Sequence, residues 1–312
     1  MGFWGATVLA CLGLQLHLMD ETAVPQFLDV PALLESSQPR ARAGWLVYVL
    51  VAFGFLFLTA FMSQPTTQAR EAVGILAGIA VFVLMGVMLV FSKIAVRGLR
   101  AERDTIEGIG ELLQLRCWPQ AALTLQQVLS QPLRTAYLRA QALVYLSVVL
   151  ARYHRFEDAI AVHNQILDED LLDDGALASL LLSRAMAMLR EDHLFDADRA
   201  ISELRRTEGA AGSGALALVE IYRDVKTGHP DDALKTFEQK LPAMREQLGH
   251  RVGDAYGLAA RAFDLLNRPT EAADAWRRAT LMGPVGEMLR RYPELEKLVG
   301  RYQNAAAPAE LA

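Results

Sequence analysis

The stretch AQALVYLSVVLARYHRFEDAIAVHNQILDED, residues 140–170, decides the predicted fold. Apolar residues recur three or four positions apart in its first half, as at Leu143 and Leu146, and again in its second half, as at Ala159 and Ile166. This spacing puts the apolar side chains on one face of an α-helix. Polar residues interrupt the pattern in the middle. The stretch therefore predicts two amphipathic helices joined by a tight turn.

The small-residue motif that opens the second of these helices recurs along the chain. Five alanines mark it: Ala121, Ala159, Ala197, Ala233 and Ala272. They are 38, 38, 36 and 39 residues apart, and self-similarity at a period of about 20–50 residues indicates a repeat architecture. Four residues beyond the alanines stand Leu125, His163, Ile201, Phe237 and Trp276. This position of the second helix is therefore apolar in all units except the second.

The turns of the last two units carry residues that end one helix and begin another. Gly228 and Asn267 occupy the position where a left-handed backbone commonly ends a helix. Pro230 and Pro269 follow, and proline at the first helical position loses no hydrogen bond. Each unit is thus predicted to be a helix–turn–helix.

On these motifs and their spacing, the chain resembles the tetratricopeptide repeat family over about residues 102–286. The resemblance implies an all-α fold with an α-solenoid of about five helix–turn–helix units over residues 101–286, whose stacked neighbours form a concave groove. Residues 287–312 are expected to be a capping helix and a disordered tail. The units exceed the usual repeat length of about 34 residues, and Lys240 replaces an apolar residue. Other two-helix repeats therefore remain an alternative.

Two uncharged apolar runs precede the repeats, at residues 43–62 and 72–92. Each is close to the ~20 residues that cross a bilayer as a helix. Lysine and arginine flank the pair on its outer sides and the connecting loop holds only Arg70, which favours cytoplasmic flanks. The sequence predicts an N-terminal transmembrane helical hairpin over residues 43–100, in the inner or plasma membrane, with a cytoplasmic repeat domain.

Residues 1–42 are predicted to be an apolar segment followed by an exposed linker with one short helix. The first 19 residues are open to three interpretations, an interfacial helix, a further span or a cleaved segment, although the basic start and the cleavage site of a signal peptide are absent. In the second apolar run, Gly74 and Gly78 form a small-residue motif that lets two helices approach closely. This motif has two interpretations, a homodimer contact or packing within the hairpin.

The family resemblance also implies where a partner would bind, because first helices of tetratricopeptide units line the groove. The corresponding positions are Gln141, Val144, Tyr145, Val148, Leu182 and Met186. They are mostly apolar, which suits an amphipathic or extended segment of a protein partner. The alternative is that the chain's own C-terminal helix covers them.

Motifs for catalysis, cofactors or metals are absent from the sequence. Its six histidines and two cysteines form no metal-ligand spacing. The glycine-rich stretch 209–214 lacks the lysine of a phosphate-binding loop, and the acidic stretch 168–174 lacks oxygen ligands at two calcium-loop positions. The formal net charge of −5 does not provide the excess of positive charge that is typical of nucleic-acid-binding proteins.

The sequence therefore predicts a membrane-anchored scaffold or assembly factor that binds protein partners, is embedded in the lipid bilayer, and catalyses no reaction. The alternative is an accessory or pore-forming subunit of a membrane transport complex. The absence of ionisable residues within the two runs argues against a transport pathway.

Overall fold

The computed structural model describes residues 28–39, 54, 59, 67–207 and 212–302. These residues form thirteen α-helices and no strand, so the all-α prediction is confirmed for them. The helices are α1 Val30–Ser36, α2 Thr67–Gln114, α3 Trp118–Leu129, α4 Ala136–Arg152, α5 Phe156–Asp168, α6 Asp174–Arg190, α7 Leu194–Arg206, α8 Gly214–Thr227, α9 Pro230–Leu248, α10 Val252–Leu265, α11 Pro269–Met282, α12 Val285–Arg291 and α13 Glu296–Tyr302. Short 3₁₀ turns lie at Gly249–Arg251 and Pro293–Leu295.

The chain divides into two compact units, Met1–Val149 and Leu150–Ala312. In the second unit, helices adjacent in the chain pack together, and the first helices of consecutive pairs also touch, α6 with α8 and α8 with α10. Their apolar faces form one buried core that extends from Ile160 to Leu298.

Five intra-pair turns share one backbone geometry. A residue with positive φ follows the first helix of each pair, with φ between 56° and 79°: Arg116, His154, Asp192, Gly228 and Asn267. The amide of the next residue then donates to a carbonyl five residues earlier, as from Cys117 to Leu112 at 2.8 Å and from Arg268 to Phe263 at 2.9 Å. This bond satisfies a carbonyl that the helix end leaves without a partner. The left-handed backbone expected at Gly228 and Asn267 is present.

The five repeat alanines take equivalent places after these turns. Each is the fourth residue of its helix, in α3, α5, α7, α9 and α11. Each is 0% exposed, and so are most residues twelve positions earlier, as at Ile109 and Ala185. A small side chain at this point lets the two helices of a pair cross closely.

Helix α1 lies in the segment that the sequence analysis predicted to be an exposed linker. The one short helix is present, but the segment is not exposed, since Leu28, Val30 and Leu33 are buried. Helix α1 packs on α3, and Ser36 Oγ donates to the Leu129 carbonyl at 2.7 Å. The buried Arg139 guanidinium donates to Ser37 Oγ and to the Leu34 carbonyl, at 3.1 and 3.0 Å.

The prediction of an integral membrane protein with a cytoplasmic repeat domain is wrong. Within the described ranges, no helix combines the length and the apolar character that crossing a membrane requires. The first predicted span, residues 43–62, lies outside them apart from Gly54 and Thr59, while the second lies in α2. Within the described ranges, the structure therefore shows no hairpin of membrane-spanning helices.

Candidate interaction surface

The predicted groove residues fall into two groups, one in each compact unit. Gln141, Val144, Tyr145 and Val148 lie on α4, and Val148 is 43% exposed. Gln141 Nε2 donates to Tyr145 Oη at 3.1 Å. The phenol contacts α2, because a Cβ built on Gly110 would lie 2.7 Å from that oxygen.

Leu182 and Met186 lie on α6 in the second unit, where both are half-buried and pack against its core. Each therefore contributes to the packing of its own unit. Gly74 and Gly78 belong to α2, and their surroundings lie outside what the structure describes.

The first helices of the second unit already hold a short helical segment of the same chain. Residues 285–302, called here the C-terminal segment, comprise α12, a 3₁₀ turn and α13. Four of its side chains, Met288, Tyr292, Leu295 and Leu298, are at most 1% exposed. Their spacing of three or four residues puts one apolar face of the segment against the repeats. The face that receives it, called here the docking surface, is formed by residues of α6, α8 and α10: Arg190, Tyr222, Lys226, Asp254, Gly257 and Asp264.

Arg190, the last residue of α6, recognises the backbone of the segment. Its guanidinium donates to the Arg290 carbonyl at 2.6 Å and to the Arg291 carbonyl. These carbonyls belong to the end of α12, where a helix has no partners of its own for them. The same guanidinium lies 4.7 Å from the centre of the Phe156 ring, which fixes its direction.

Tyr222 and Lys226, one helical turn apart on α8, bind the carboxylate of Glu294. Tyr222 Oη donates to Glu294 Oε1 at 3.1 Å, and Lys226 Nζ lies 3.5 Å from the same oxygen. Burial, and then the nearby Glu294 charge, raises the pKa of Tyr222. The phenol is therefore a proton donor at physiological pH. The Tyr222 and Tyr292 rings pack edge to face, with their centres 5.0 Å apart.

Helix α10 contributes two buried carboxylates to the docking surface, and a leucine of the segment comes close to its backbone. Asp254 Oδ1 accepts from Arg291 at 2.8 Å, and Asp264 Oδ1 accepts from Arg301 at 2.7 Å and from Tyr302 Oη at 3.1 Å. Between them, a Cβ built on Gly257 would lie 3.1 Å from Leu295 Cδ1. Glycine here lets the leucine reach the helix backbone.

Hydrogen bonding beneath the segment is incomplete. Four buried atoms there have no hydrogen-bond partner: Asp254 Oδ2, Arg291 Nε, Tyr292 Oη and Glu294 Oε2. In the described part of the chain, the only other such atom is His163 Nδ1. Each unsatisfied buried atom costs about 1–3 kcal/mol. These unsatisfied atoms therefore oppose the docking that the segment's apolar side chains favour.

Sequence reasoning did not identify the residues of the docking surface, although it kept open that the C-terminal helix covers the predicted groove. The apolar positions of the segment were visible as a capping helix, but the polar contacts join residues 37 to 101 positions apart, and no local motif marks them. Over the ranges for which side chains are described, no group of three or more His, Cys, Asp or Glu residues could hold a metal ion.

Comparisons of the chain with protein-family models, with curated proteins and with solved structures found no match. The tetratricopeptide resemblance therefore stays a prediction from the sequence pattern.

Proposed function

We propose that this chain is a protein-interaction scaffold or assembly factor of the tetratricopeptide type, whose first helices bind a helical or extended segment of a partner protein. The observation that carries the proposal is the C-terminal segment itself. It lies on α6, α8 and α10 as a ligand would, with its backbone carbonyls held by Arg190 and its Glu294 carboxylate held by Tyr222 and Lys226.

An α-solenoid is the architecture that best explains the contacts of the second unit. In a solenoid each unit touches only its neighbours. The contacts of α6 with α8 and of α8 with α10 follow that rule, and the shared turn geometry gives each pair the same internal arrangement. First helices aligned in this way form one continuous surface.

The transport-subunit alternative depended on membrane spans and is not carried further. A homodimer contact through Gly74 and Gly78 stays a separate prediction. The protein-binding proposal requires neither.

The proposal can be tested by crosslinking the tagged full-length chain in its native cells and purifying it with its partners. We expect Lys226→Glu to reduce partner recovery, because the reversed charge repels a carboxylate at this position. Lys235→Glu is the matched control, since Lys235 lies exposed on α9. Equal recovery of the same partners with both variants would refute binding at the docking surface.

A further inference from the structure

The docking surface has features of a site that recognises a particular kind of segment. Arg190 binds main-chain carbonyls, which any helix end offers. Tyr222 and Lys226 select a carboxylate, Asp254 selects a cation, and Gly257 admits a branched apolar side chain. The sequence that meets these groups is Arg291-Tyr292-Pro293-Glu294-Leu295, which begins at the last residue of the seven-residue helix α12.

The fit of the chain's own segment is imperfect in one respect. Asp254, Arg291 and Glu294 each use one polar atom in a contact and leave another buried without a hydrogen bond. For Asp254 Oδ2, Arg251 Nε lies 3.6 Å away, beyond hydrogen-bond distance. Tyr292 is fully buried, and its hydroxyl is also left without a partner. A ligand that completed these bonds would replace the segment without losing its apolar contacts.

We propose that the C-terminal segment is a removable occupant of the docking surface, and that the partner replaces it with a segment of the same chemistry. That segment is a short helix that ends in a basic residue and is followed by an aromatic residue, proline, an acidic residue and leucine. This inference rests on the proposed function, but it can fail separately, because removability belongs to this chain alone.

The first experiment uses the unaltered full-length chain and amide hydrogen exchange. A removable segment opens while the repeats stay folded. We expect the amides of residues 288–298, including the Tyr292 amide bonded to the Met288 carbonyl, to exchange on the order of tenfold or more faster than buried amides of α10. Equal exchange rates in the two regions would overturn the proposal, since the segment would then leave only on global unfolding.

The second experiment measures binding of a labelled peptide with the sequence of residues 285–302. Leu295→Asp in the full-length chain places a charge against Gly257 and should release the segment. We expect this variant to bind the peptide at least about tenfold more tightly than the unaltered chain does. Leu281→Asp is the matched control, because Leu281 is 81% exposed, and it should leave peptide binding unchanged.

Changes in the peptide test the recognition chemistry. Replacing its Glu294 by alanine removes the partner of Tyr222 and Lys226 and should weaken binding about tenfold, whereas replacing the exposed Glu296 should not. Equal loss with both peptides, or no gain with the Leu295→Asp chain, would overturn the proposal. A concentration-dependent dimer of the unaltered chain that Leu295→Asp abolishes would also overturn it, since the occupant would then come from a second copy.

If the exchange and peptide results are as expected but the Lys226→Glu chain still recovers its partners, the proposed function fails and the removable segment stands. If partner recovery depends on Lys226 but the amides of the segment exchange no faster than those of α10, the removable segment is refuted and the proposed function stands.

Discussion

His163 occupies a place in α5 where the equivalent residues are Leu125, Ile201, Phe237 and Trp276. Its ring is 2% exposed, and its Nδ1 atom has no hydrogen-bond partner. Burial, followed by the nearby Arg184 charge, lowers the pKa of His163 to about 4 from an ordinary value of 6.5. The folded protein therefore holds this ring neutral in a pH range where an unfolded chain would protonate it.

This difference makes stability depend on pH in a definite direction. Between pH 6.5 and about 4 the unfolded chain binds more protons at this site than the folded chain does, so the free energy of unfolding falls as the pH falls. Above pH 6.5 the His163 ring is neutral in both states and does not lower the free energy of unfolding. By pH 4 that free energy has fallen by roughly 3 kcal/mol.

We predict that His163→Leu removes this part of the pH dependence and stabilises the protein at pH 5, because leucine fills an apolar position without a proton to bind. Denaturant unfolding at pH 5 and pH 7.5 measures the effect. His250→Leu, at an exposed position, is the control. A His163→Leu chain with the same loss of stability on acidification as the parent would contradict the assignment.

At the scale of elements, the turn at Gly228 allows a test of the shared backbone geometry. Its φ is 79°, and a Cβ added there would meet no atom within 4 Å. Any effect of Gly228→Ala therefore comes from backbone conformation alone. We expect a loss of about 1 kcal/mol, because alanine is strained in the left-handed region.

Gly175→Ala is the control for this prediction. Gly175 lies in the first turn of α6, and a Cβ there is also free of contacts within 4 Å. Alanine favours a helix by roughly 0.5–1 kcal/mol over glycine, so the same substitution should stabilise here. Thermal melting of both variants gives the comparison, and two shifts of the same sign would speak against the left-handed turn.

The repeat pattern made much of the helical architecture predictable, and the reason is local. Burial of Ala159 and its four equivalents follows from helical spacing, and the bounds of each second helix follow from the turn. Arg116, His154 and Asp192 also adopt positive φ. Histidine and aspartate are enriched there among non-glycine residues, but arginine is not. What all these positions share in the sequence is the fixed distance of five residues before a repeat alanine.

Long-range contacts were not predictable in the same way. Prolines lie on both sides of helix α1, and they favoured the prediction of a linker. The signal for burial in this segment is the close spacing of three apolar residues, Leu28, Val30 and Leu33, all of which are buried. The contacts of Arg190 and Glu294 depend on how helices far apart in the chain pack together, and no local sequence pattern predicts that packing.

For the whole molecule, we predict that residues 101–312 fold without the preceding chain, because helical repeats bury one another's apolar faces. Far-ultraviolet circular dichroism should show a strongly helical fragment with a cooperative melting transition. A fragment that begins at Leu150 keeps only three residues of α4, and it should melt at a lower temperature. A disordered 101–312 fragment would refute the prediction.

Connections between helix pairs vary more in length than connections within a pair. Two or three residues join the helices within a pair, whereas three to seven join one pair to the next. Gene duplication or recombination with breakpoints in the longer connections would therefore transfer a complete helix pair with its closed turn. A breakpoint within a pair would separate the left-handed residue from the carbonyl that its turn satisfies. Lineages carrying this chain should thus gain or lose length in whole units of 36 to 39 residues.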